Sequence, residues 1–166
     1  MTIRDAVAAA STYLTEHPDE ARYRDGAATA RISGGLRAEV RGSGGESVVT
    51  DMPAGIGGGG SAPSPGWLMR AATASCVASL IAIRAASTGV EVGPIEVEVD
   101  SESDDRGILG LDEAIPAGAL SVRVAARLSA PGLDAGRRRD LVEWAVAHCP
   151  VSESLTRAIE VEIDVS

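Results

Sequence analysis

The chain has 166 residues, a formal net charge of -9 and an aromatic content of only 2%, with no Phe. An anionic surface opposes phosphate contacts and so few rings offer no stacking platform, which argues against nucleic-acid binding. The length supports one hydrophobic core, filled here by Val, Leu, Ile and Ala. The opening residues carry Arg4 and Asp5 and lack a signal-peptide core, and Arg70 and Arg84 interrupt the longest apolar run. The expectation is a cytoplasmic protein that does not span a membrane.

Residues 2–16 read as an amphipathic helix, with Thr2 as its cap and Ile3, Val7, Ala10 and Leu14 on one face. His17 and Pro18 end it, and a polar linker follows to residue 26. Residues 28–33, 36–42 and 46–51 then read as three short strands, separated by Gly34-Gly35 and Ser43-Gly44-Gly45, a meander. Residues 52–64 are almost all Gly, Pro, Ala and Ser. No Lys with Ser or Thr follows the glycines, so a wound loop is favoured over a phosphate cradle.

Residues 65–88 predict one long helix, with Ser64 as N-cap, Pro65 in the first turn and Gly89 as the stop. At about 1.5 Å per residue it would be on the order of 36 Å long, comparable to the whole domain. Leu68, Ala71, Ala72, Cys76, Leu80 and Ile83 recur at helical spacing and are expected to form its buried stripe. Residues 95–100 and 120–129 alternate as strands with one wet face. The acidic run at 100–105 lacks the register of a calcium loop and reads as a solvated turn. Asp134 caps a helix over 135–148 with Leu141, Trp144 and Ala145 inward; a short helix reaches Arg157, and residues 158–165 predict a closing strand. The class is α+β, long helices against a mostly antiparallel sheet.

Two cysteines without zinc spacing predict no metal site and no cofactor. By residue type alone, Cys76 is either an inert buried thiol or a reactive one. Cys149 precedes Pro150 at a helix start, where peptide dipoles favour a thiolate, and His148 beside it either assists or is merely exposed.

The run P-x-x-L-M-R-A-A-T-A-S-C ending at Cys76, followed about 70 residues later by C-P-V-S-E-S-L from Cys149, resembles the OsmC/Ohr family. The resemblance covers roughly residues 27–166 and leaves residues 1–26 as an added N-terminal helix and linker. It implies an OsmC-like fold in an intertwined homodimer and a thiol peroxidase acting on organic hydroperoxides. Cys76 matches the attacking position and Cys149 the resolving one, with an external dithiol of lipoyl or small-thiol type as reductant. The family holds an Arg over the attacking thiol with a Glu from an N-P-E motif. Here the motif reads Ser64-Pro65-Gly66, so the Glu is missing. Arg37, after a hairpin turn, is the candidate for the arginine, with Arg31 and Arg41 as neighbours. The missing Glu keeps a second reading in view: a non-peroxidatic relative that binds a small apolar or thiol-containing ligand.

Overall fold

The computed structural model describes residues 1–165. The chain divides into two compact units, Met1–Val7 together with Arg70–Ser166, and Ala8–Met69. Helix α1 spans Ile3–Glu16. Thr2 and Asp5 cap it reciprocally: the Asp5 N–H donates to the Thr2 hydroxyl at 3.2 Å and the Thr2 N–H to the Asp5 carboxylate at 3.0 Å. None of its residues is fully buried. Within the first unit, Arg4 Nε donates to the carbonyl of Ala86 at 3.0 Å.

In the unit Ala8–Met69, a single 3-10 turn over Pro18–Ala21 replaces part of the expected linker. Strands β1 (Ala28–Ile32), β2 (Ala38–Gly42) and β3 (Ser47–Thr50) form the meander in that order. Both pairings are antiparallel, with Ile32 opposite Ala38 and Ala38 opposite Thr50. The glycine-rich stretch after β3 is wound around Asp51. This buried carboxylate accepts from the N–H groups of Met52 at 2.8 Å, Gly59 at 3.3 Å and Ser61 at 3.0 Å, and from the Ser61 hydroxyl at 2.8 Å. Glycine is required at position 58, because a Cβ there would lie 1.8 Å from the Met52 carbonyl oxygen. These bonds also lower the Asp51 carboxyl below its ordinary range, the Ser61 N–H contributing most.

Helix α2 runs Pro65–Thr88. Ser64 caps it as expected, its hydroxyl accepting from the Trp67 N–H at 3.2 Å. Gly89, with φ of +76°, ends it, and the Val90 N–H returns to the Ala85 carbonyl at 2.9 Å. The buried face differs from the sequence expectation: it consists of Thr73, Val77, Ile81 and Ala85. Cys76, Leu80 and Ile83 lie beside that face, half-buried, and Ala72 is exposed. The helix is apolar almost all round, so spacing alone does not single out one face. It is also long and apolar enough, by length and composition, to cross a membrane. Val77, Ile81 and Ala85 of this helix pack into the hydrophobic core of the unit.

In the unit containing Arg70–Ser166, β4 (Ile95–Glu102) and β5 (Ser121–Leu128) pair antiparallel from Ile95 opposite Leu128 to Glu102 opposite Ser121. Ile95, Val97, Val124, Ala126 and Leu128 pack against the core. The wet face carries ion pairs from Arg123 to Glu98 and Asp100 and from Arg127 to Glu96 and Glu98. The acidic run extends β4 and then starts a short helix, α3 (Asp105–Ile108), capped by Asp104. Helix α4 spans Ala135–Ala147 with Asp134 as N-cap; Leu141 and Ala145 are buried and Trp144 is half-buried. Helix α5 spans Pro150–Thr156.

The α+β class with antiparallel strands holds, the strands falling into two sheets, one in each unit. One expectation is corrected. Residues 158–165 form no strand. Ile159, Val161, Ile163 and Val165 alternate with acids as a strand would, yet they are 51%, 78%, 81% and 92% exposed. A strand exists only through its neighbour, and this segment pairs with none.

Candidate functional site

The candidate site is built by three helices of one unit. Helix α2 presents Cys76 beside its buried stripe, the end of α4 delivers the chain to Cys149, and α5 begins there with Pro150 in its first turn. Pro150 needs no donor partner for its nitrogen at that position. Cys149 is fully buried in the cluster of Val77, Ile81, Ala85, Leu141 and Ala145, and Cys76 and Val151 pack against the same cluster. Both cysteines are free thiols.

Cys149 is the N-cap of α5, and its sulfur accepts from the Ser152 N–H at 3.4 Å. The Cys76 side chain packs beside it and acts on its acidity. Burial pushes the Cys149 thiol up. The Ser152 side chain, the Cys76 thiol and the N–H groups of Ser152 and Val151 together outweigh burial and hold it below its ordinary range. The firm donor from Ser152 is its backbone N–H; its hydroxyl oxygen is buried and meets no partner at full hydrogen-bond geometry, so it acts on the sulfur as a dipole. Cys76 moves the other way. Burial, then the hydrogen bond to Cys149 and its charge, push the Cys76 thiol up, and the Val151 N–H only partly opposes them.

No arginine is among the groups acting on either sulfur. Arg37 belongs to the other unit, where its guanidinium donates to the Ser61 hydroxyl at 3.2 Å, the same hydroxyl that donates to Asp51. Arg41 in that unit pairs loosely with Glu39 at 3.8 Å. His148 is exposed, with Nδ1 on the Trp144 carbonyl at 2.8 Å and its ring stacked on the indole, which supports the merely exposed alternative for this residue. Among the described residues no group of three or more His, Cys, Asp or Glu gathers where it could hold a metal ion.

Sequence reasoning missed Ser152 and Val151 as the donors that tune Cys149. The signal was present, since a residue just before a helix-starting Pro caps the N–H groups two and three places on. It also missed Asp51, whose role depends on the path of a loop that periodicity cannot describe.

A family model described as OsmC-like protein matches residues 58–164. An organic hydroperoxide resistance protein OsmC from Legionella pneumophila is similar in structure, with a TM-score of 0.61 at 24% identity over 81% of this chain and 90% of that one. An organic hydroperoxide resistance protein from Elizabethkingia anophelis gives 0.61 at 21% identity, over 80% of this chain and 89% of that one. The OsmC-like protein of Mycoplasma pneumoniae gives 0.67 at 10% identity, over 81% and 89%. At such identities the likeness establishes the fold alone. No curated protein matches the chain in sequence. With more than half of its residues matched by the family model, the chain belongs to the OsmC-like protein family.

Proposed function

We propose that the chain is a thiol peroxidase that reduces organic hydroperoxides through Cys76 and Cys149. The observation that carries the proposal is the packing of Cys76 against the apolar cluster that contains Cys149, both as free thiols. Cys76 is half-buried and Cys149 fully buried, so a peroxide meets Cys76 first. The Cys76 sulfur attacks the terminal peroxide oxygen; an S–O bond forms as the O–O bond breaks. The proton of Cys76, passed to the Cys149 thiolate, leaves with the alkoxide as an alcohol. Cys149, again a thiolate, then attacks the Cys76 sulfenic acid, the S–S bond forms and hydroxide departs. The two thiols supply the two electrons, and an external dithiol of lipoyl or small-thiol type restores them. No cofactor is needed for this exchange.

Arg37 is proposed to serve the attacking thiol on the strength of the family resemblance. A homodimer is proposed with it, supported by the unpaired alternation of residues 158–165, which a second copy would cover. The cytoplasm, with its reducing thiol pool, is the proposed location. The names of the Legionella and Elizabethkingia proteins support the substrate class.

The second reading, binding of a small apolar or thiol-containing ligand without peroxide chemistry, is favoured by one observation. Gly66 stands where the family Glu would be, and no cation acts on Cys76. Reduced protein mixed with cumene hydroperoxide separates the two. Loss of both thiols per chain, with a Cys76→Ser variant inert, supports the peroxidase; intact thiols after an hour at millimolar peroxide overturn it.

A further inference from the structure

We propose that an open pocket between the C-terminal end of α2 and the outer side of α4 binds a monoanionic ligand with a flat apolar body, an aromatic carboxylate in class. The pocket encloses about 500 Å³ and is lined by Arg84, Thr88 and Val90 from one side and Leu133, Arg137, Asp140, Leu141 and Trp144 from the other. That volume suits a small organic molecule.

Two features of the lining select the class. The first is charge. Among the described residues of this unit, Arg106, Arg123, Arg127, Arg139 and Arg157 each meet a carboxylate within ion-pair distance. Arg4, Arg70, Arg84, Arg137 and Arg138 meet none; Arg4 and Arg70 donate instead to the Ala86 carbonyl and the Ser101 hydroxyl, and of the other three Arg84 and Arg137 line this pocket. Two planar forks left unpaired at one pocket match the geometry of a carboxylate. Asp140 on the same rim brings the sum of formal charges to +1, which favours a monoanion and disfavours a phosphate dianion.

The second is the wall. The Trp144 indole is held by Arg84, whose guanidinium carbon lies 4.7 Å from the ring centroid, and by the His148 ring, stacked at 4.0 Å and 17°. Val90, Leu133 and Leu141 extend the apolar surface. A ring laid on Val90, Leu133 and Leu141 beside the edge of the indole, whose faces Arg84 and His148 occupy, and a carboxylate between the two arginines satisfy both halves of the lining. Cys76 and Cys149 are not among the lining residues, so the site stands apart from the thiol chemistry.

Isothermal titration calorimetry of the reduced full chain with 2-naphthoate tests the proposal. Binding in the sub-millimolar range is expected, at least ~10-fold weaker for 2-naphthalenemethanol, which lacks the charge, and for 2-naphthyl phosphate at a pH where it is a dianion. Arg137→Met, at an exposed position that the fold does not depend on, is expected to weaken binding about tenfold, as is Arg84→Met. No heat at millimolar 2-naphthoate, equal binding of the neutral alcohol, or unchanged affinity in Arg137→Met would overturn it. The readout is an equilibrium and stands whether or not the cysteines reduce peroxide.

Discussion

Cys149 caps α5 with its sulfur accepting from the Ser152 N–H at 3.4 Å, while Cys76 packs against the same apolar cluster, and the two acidities are driven apart. The buried, helix-capping cysteine is the better thiolate, and the half-buried cysteine is the more reachable sulfur. Charge and access are therefore divided between the partners, so the proposed chemistry depends on proton transfer from one thiol to the other.

Thiolate absorbance near the ultraviolet edge reports this division directly. The native reduced chain is expected to ionise in two steps, one below and one above the ordinary cysteine value of about 8.5. Cys76→Ala removes the donor, so the lower step moves up towards that value. A single step at the ordinary value in the native chain would contradict the pairing.

Asp51 makes a second pH-dependent prediction. Its folded-state value is depressed, so its contribution to stability is present above the unfolded carboxylate value and is lost as pH falls through the depressed one. In Asp51→Ala the N–H groups of Gly59 and Ser61 lose their acceptor. Amide exchange at these two positions should accelerate by about tenfold or more at neutral pH, with little change in the strands of the other sheet.

The identity of the buried face of α2 is open to a paired substitution. Ile81 is fully buried, so Ile81→Ala should cost about 2–5 kcal/mol in urea unfolding. Ile83, half-buried beside that face, should lose about 1 kcal/mol when cut to Ala. Equal losses would place the core on the face expected from spacing.

Residues 158–165 expose four branched apolar side chains in a row of alternate positions. Sedimentation of the full chain should show a dimer, and removal of residues 158–166 should shift it to monomer. A truncated chain that remains dimeric would assign the contact elsewhere.

Local physics made most of the elements legible. Ser64, Asp134 and Cys149 each mark a helix start through a side chain that accepts from the first turn, and Gly89 marks an end through a positive φ. Alternation located β4 and β5, and the two cysteine motifs named the family. What the residues alone did not decide was which face of α2 is buried, because a helix apolar on all sides has no preferred stripe until neighbours pack on it. Nor did they decide whether 158–165 is a strand, since pairing belongs to two segments and never to one. The relative acidity of Cys76 and Cys149 was hinted at by the cap position, and its direction follows from burial at Cys76 and the helix-start N–H groups at Cys149. Only the folded chain, by packing Cys76 of α2 and Cys149 at the start of α5 into one apolar cluster, puts the two thiols in one setting.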